Sequence, residues 1–229
     1  MVVLLHGLFL SGWVMVRLAR RLRRCGLRTA IFSYPTRRRS PADNARDLAA
    51  FLVRLSVPRV DLVAHSLGSL VVLHLLAGQS GLRADTGSGP RVRRVVLLGP
   101  PLGGSVVARR LTRRAPGRWL LGRSVEQGLL GDGPAVPPDV DLAVIAGSRG
   151  WGIGWLFGGL PRPNDGTVAV AETRTPNCRQ HTVLPVSHMG LVFSPRVARR
   201  ICRFLRHGEL EAAGRASPAL RDRGRGGTR

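Results

Sequence analysis

The segment "VDLVAHSLGSLVVLHLLA", Val60 to Ala77, sets one serine, Ser66, between two apolar runs. The first run is short and β-branched, as in a buried strand. The second is longer, as in a buried helix, so Ser66 falls at a tight strand-to-helix turn. Such a turn strains the serine backbone and demands small residues two before and two after it, here Ala64 and Gly68. A serine held this way could act as the nucleophile of acyl transfer. Its hydroxyl is a weak nucleophile alone, so that chemistry also calls for a base and for an acid that orients the base.

Of the six histidines, His6 and His65 flank the turn, His74 lies within a helical pattern, His181 begins a strand and His207 closes a helix. His188 alone falls in a loop between the last strand and the last helix, where a sheet of this kind delivers a residue beside the serine. It is the expected base. Asp165, in "RPNDGTV", is the expected acid, because Ser66, Asp165 and His188 run in the order serine, acid, histidine. Asp132 and Asp139 compete but precede the fifth strand, Asp141 opens that strand, and Glu172 is the other carboxylate before His188. "NDG" is also an ordinary turn sequence. An oxyanion would need backbone donors: Leu67 at the start of the helix after Ser66, and Leu8 after the flexible Gly7 of "LLHGLF".

These residues must be positioned by alternating strands and helices. "VVLL" reads as a strand and "WVMVRLARRLRRCG" as an amphipathic helix ended by Gly26. "LRTAIFSYP" is a second strand, and "SPADNARDLAAFLVRL" a helix with Ser40 as N-cap and Pro41 at its first position. "RVDLVAHS", "RVRRVVLLGPP", "VDLAVIAGS" and "RQHTVLPVSH" supply further strands, and "SPRVARRICRFLRH" a last helix. Ser105 to Leu130 reads as interrupted helix. Repeated strand–helix–strand units predict an α/β domain with a mostly parallel central sheet and helices on both faces, over residues 1–207. Residues 208–229 read as a basic, disordered tail. The loop "WGIGWLFGGL" before Asp165 is expected to line an apolar acyl pocket.

The 229 residues carry 36 Arg+Lys against 13 Asp+Glu, a formal charge of +23, and every one of those basic residues is arginine. Scattered arginines without interleaved aromatics argue against specific nucleic-acid binding, while leaving a pull toward anionic membrane surfaces. The three cysteines, Cys25, Cys178 and Cys202, form no metal-ligand spacing and are expected as reduced, buried thiols. With no basic-then-apolar leader and no run of roughly 18 apolar residues, a cytoplasmic location is expected.

Together "HGLFLSGW", "AHSLGS", "NDGTV" and "SHMGLVFS" resemble the α/β-hydrolase superfamily, and within it small bacterial lipases and esterases with a minimal sheet. In that group alanine can replace the first glycine of G-x-S-x-G, as Ala64 does. The resemblance implies Ser66, Asp165 and His188 as a catalytic triad and the N–H groups of Leu8 and Leu67 as the oxyanion hole. It further implies an ester or lipid substrate and no metal or cofactor. The chain would begin at the third strand of the full superfamily sheet, and Pro100 stands where such lipases often have threonine. Thioesterases and acyltransferases would use the same machinery, and a non-catalytic basic interaction module on the same fold is the competing class.

Overall fold

The structure is a computed structural model describing residues 1–78, 89–152, 154 and 159–211. Six strands form one sheet: β1 (Val2–Leu5), β2 (Thr29–Phe32), β3 (Arg59–His65), β4 (Arg91–Leu98), β5 (Asp141–Gly147) and β6 (Gln180–Leu184). They lie in the order β2-β1-β3-β4-β5-β6, and every neighbouring pair is parallel. Such pairing requires crossovers, which the helices α1 (Val16–Arg24), α2 (Pro41–Arg54), α3 (Leu67–Gly78), α4 (Val106–Thr112) and α5 (Ala115–Leu121) help to provide. Beyond β6 come α6 (Gly190–Phe193) and α7 (Pro195–His207).

Side-chain alternation divides the core into two layers. Val3 and Leu5 of β1 face one way with Leu62 and Ala64, and are covered by Leu48 and Leu52 of α2 and by Leu70, Val71 and Leu75 of α3. Val2 and Leu4 face the other way with Val63 and Val96. Leu18 and Leu22 of α1, and Ile201 and Phe204 of α7, cover them. Both faces of the sheet are therefore buried, which accounts for the nearly continuous apolar strands in the sequence.

The local signals act where they were read. The Ser40 hydroxyl accepts the Asp43 N–H, and the Asp43 carboxylate accepts the Ser40 N–H, closing a capping box at the start of α2. Gly26 adopts φ +75° just after α1. The first helical pattern is divided, with a 3-10 turn over Gly12–Met15 leading into α1. The interrupted segment after Ser105 becomes α4, α5 and a 3-10 turn, Gly122–Val125.

One expectation is corrected. Cys25 and Cys202 are joined in a disulfide, and only Cys178 is free. The two cysteines are 177 residues apart in sequence, but α1 and α7 pack side by side on one face of the sheet and bring their Cα atoms to 6.4 Å. After α7, Gly208 takes a left-handed conformation and Leu210 is buried against the same layer, its N–H donating to Gln180. The remainder of the expected tail, 212–229, lies outside the described residues. No helix among the described residues is long and apolar enough to cross a membrane.

Candidate active site

All six strands are parallel, so the loops after β1, β3, β4, β5 and β6 gather at one edge of the sheet. At the centre of that edge β1 and β3 are neighbours, yet the helices that follow them, α1 and α3, lie on opposite faces. Connections that diverge in this way open a crevice beyond the strand ends, where ligands bind in open α/β sheets.

Ser66 sits at this crevice, between the end of β3 and the first residue of α3, with φ +53°. A left-handed conformation is rare for a residue with a Cβ and costs on the order of 1–3 kcal/mol. Its N–H donates to the Leu98 carbonyl at 2.9 Å, tying the turn to the end of β4. The demand for small neighbours is visible in the packing. A Cβ added to Gly68 would stand 2.7 Å from the His6 carbonyl oxygen, and one added to Gly7 would stand 3.1 Å from the Ser66 Cβ. The turn after β1 is thus pressed directly against the serine.

His188 Nδ1 and Asp165 Oδ2 are 2.6 Å apart, and both residues are buried. The Asp165 carbonyl also accepts the His188 N–H at 2.8 Å. The other carboxylate oxygen, Oδ1, accepts the N–H groups of Thr167 and Val168 at 2.9 and 2.7 Å. "NDG" therefore serves in both ways that its sequence allowed: one oxygen builds the local turn and the other holds the imidazole. With Nδ1 engaged, Nε2 is the imidazole nitrogen not taken up by Asp165. The tie between this pair and Ser66 is β4. A Cβ on Gly99, the residue after the one that accepts the Ser66 N–H, would meet Asp165 Oδ2 at 3.1 Å and His188 Cε1 at 3.2 Å.

The competing carboxylates are engaged elsewhere. Asp132 accepts the Gly128 N–H, Asp141 pairs with Arg94 and Arg179, and Glu172 accepts the N–H groups of Val106 and Ala169. Burial raises the Glu172 pKa, against the pull of those two N–H groups. The expected oxyanion donors lie at the crevice: Leu67 opens α3, whose first N–H groups have no partner within the helix, and Leu8 follows Gly7. Among the described residues no group of three His, Cys, Asp or Glu could hold a metal ion.

Tyr34 carries no sequence signal of its own, whereas its partner His6 belongs to the "LLHGLF" segment. Tyr34, two residues beyond β2, donates its hydroxyl to the His6 carbonyl at 2.7 Å and its N–H to His6 Nε2 at 3.3 Å, with the rings stacked at 4.5 Å. His6 Nε2 must then be the acceptor, and burial lowers the pKa of this histidine. The pair steadies the turn that carries Leu8. The loop expected to form an acyl pocket is described only in part, residues 153 and 155–158 lying outside the described residues. Gly150, Trp151, Gly154, Gly159 and Leu160 line a cavity of about 780 Å³ beside Asn164.

A protein-family profile described as "Domain of unknown function (DUF7379)" matches residues 2–114. No curated protein matches the chain. Among solved structures, the mature form of the Bacillus licheniformis lipase BlEst2 superposes with a TM-score of 0.71 at 21% identity, covering 90% of each chain. The Legionella pneumophila phospholipase PlaB superposes with a TM-score of 0.61 at 17% identity, over 93% of this chain and 59% of that one. A thermophilic esterase from Thermogutta terrifontis does so with a TM-score of 0.57 at 16% identity, over 90% and 89%. The chain has the α/β-hydrolase fold and resembles bacterial lipases and esterases.

Proposed function

We propose that the protein hydrolyses carboxylic esters through an acyl-enzyme formed on Ser66. The observation that carries this reading is that one edge of the sheet holds both a serine with φ +53° and a buried histidine–aspartate pair at 2.6 Å. Ser66 Oγ attacks the ester carbonyl while His188 Nε2 takes its proton and passes it to the leaving alcohol. Asp165 holds the imidazole in the tautomer that can accept. The negative charge that develops on the carbonyl oxygen is met by the N–H groups of Leu8 and Leu67, the latter at the positive end of α3. Water, deprotonated by His188, then releases the acid.

The surroundings favour an apolar acyl group. Phe9, Trp13, Trp119 and Trp151 are exposed on loops or helices that follow strand ends, and the Arg37 guanidinium lies over the rings of both Phe9 and Trp119. Exposed rings with one arginine over two of them suit a lipid ester presented at an anionic surface. The Cys25–Cys202 bridge favours an oxidising compartment over the cytoplasm.

Incubation with a fluorophosphonate probe tests the reading. The native protein should be labelled and should cleave p-nitrophenyl esters, and Ser66→Ala should do neither. An unlabelled native protein, or a Ser66→Ala variant that still turns over ester, would overturn it. The first of those outcomes would leave the basic interaction module as the better account. Turnover of thioesters or transfer to an alcohol would refine the substrate without changing the machinery.

A further inference from the structure

His65 has no task in the reaction proposed above, yet it is fully buried where three parts of the site meet. It directly precedes Ser66. Its Nε2 stands 3.1 Å from the main-chain oxygen of His188. A carbonyl oxygen only accepts, so Nε2 carries the proton and donates. The two imidazoles lie 4.6 Å apart between ring centres, inclined at 46°. On its other side Nδ1 faces Gly7, where an added Cβ would come within 3.0 Å of it. One ring therefore spans from the turn that carries Leu8 to the loop that carries the base.

The protonation pattern separates this role from plain packing. Nδ1 is buried with no hydrogen-bond partner, and leaving a buried acceptor unpaired is costly. An apolar ring of the same volume would fill the space without that cost. The imidazole offers one thing such a ring lacks, the Nε2–H bond to His188. The titratable groups around it are His188 and His6, with Asp165 beyond His188. Burial first, and then the positive charge that His188 and His6 can carry, holds the His65 pKa well below its ordinary value.

We propose that His65 is a positioning residue whose Nε2–H fixes the main chain of His188 and thereby aims the base at Ser66. The His188 backbone is held at its N–H by the Asp165 carbonyl at 2.8 Å and at its C=O by His65 Nε2–H at 3.1 Å, with the Leu191 N–H a longer second donor to that oxygen at 3.3 Å. Removing the His65 bond leaves that carbonyl with the longer Leu191 bond alone, so the peptide can rotate and carry the imidazole with it. This inference rests on the assignment of Ser66 and His188 to catalysis.

Three variants test it in the full-length protein: His65→Gln, whose amide N–H can replace the Nε2–H, and His65→Phe and His65→Met, which fill the space without a donor. Activity is expressed per folded molecule, with thermal unfolding measured alongside. His65→Phe or His65→Met should lower kcat by about 10- to 100-fold with KM little changed, as expected when a reacting group is misplaced by about 1 Å. Fluorophosphonate labelling should slow in parallel. His65→Gln should restore most of the loss, because it returns the donor. Native-like kcat in whichever donor-free variant folds would overturn the proposal, as would a folded His65→Gln no better than the donor-free variants. An unlabelled native protein would instead sink the catalytic assignment itself, so the two failures are distinguishable.

Discussion

Replacing Asp165 by asparagine isolates one hydrogen bond. In the native site Oδ2 accepts the His188 Nδ1–H at 2.6 Å, and Oδ1 accepts the N–H groups of Thr167 and Val168 at 2.9 and 2.7 Å. In Asp165→Asn the amide has one oxygen, and the two backbone donors claim it. Its NH2 then points at Nδ1, which must become the acceptor, so the imidazole proton moves to Nε2, and the base nitrogen of the proposed reaction can no longer take a proton. The loop itself keeps its two anchoring bonds, so the loss should fall on catalysis and spare the fold. Fixing the wrong tautomer in a serine–histidine–aspartate site costs about 10,000-fold in kcat. At about 1.4 kcal/mol per decade, that is about 5.5 kcal/mol of transition-state stabilisation. The assay is p-nitrophenyl ester turnover together with the rate of fluorophosphonate labelling, with the midpoint of thermal unfolding as control. Asp165→Ala is the contrast, since it strips the loop of its acceptor and should lower the unfolding midpoint as well. A folded Asp165→Asn protein within tenfold of native kcat would refute the assignment of Asp165 as the orienting acid.

Three further outcomes follow from the fold. Cys202→Ser should destabilise the oxidised protein, because the bridge closes a loop of 177 residues; chain entropy sets about 5 kcal/mol as the ceiling and about 2–4 kcal/mol as the usual range. Equal denaturation midpoints with and without reductant would contradict this. Arg93→Ala should cost about 2–3 kcal/mol in chemical denaturation, since it leaves the buried Asp61 carboxylate without its bidentate partner at 2.9 and 2.7 Å; the half-exposed Arg93 lowers the figure expected of a buried pair. Adding Asp61→Asn to Arg93→Ala should recover part of that loss, and no recovery would count against a charge effect. His6, His65 and His181 all have folded-state pKa values held down, chiefly by burial, so the unfolded chain binds more protons once the pH falls below about 6.5. Their contribution is present above that value and is lost on acidification, so the unfolding midpoint should drop between about pH 6.5 and pH 5. A flat midpoint across that interval would show that these histidines titrate normally.

What the sequence determined by itself was local. Each strand and helix announces its own period, the capping box of α2 needs only Ser40, Pro41 and Asp43, and the serine turn needs only a strand, a helix and the small residues Ala64 and Gly68. Chain order and the parallel sheet then carry Asp165 and His188 to the same edge as Ser66, because parallel strands must all end there. Tertiary structure decided whatever depends on distances across layers. It joined Cys25 to Cys202 by laying α1 beside α7, and it set Tyr34 on His6 because β1 and β2 are neighbours. It also chose Asp165 over Glu172: the first meets the imidazole, while the second is consumed by the backbone N–H groups of Val106 and Ala169. His65 shows the same division. Its place beside Ser66 is written in the pentapeptide, but its hydrogen bond reaches 123 residues along the chain to His188, a contact that no local period encodes.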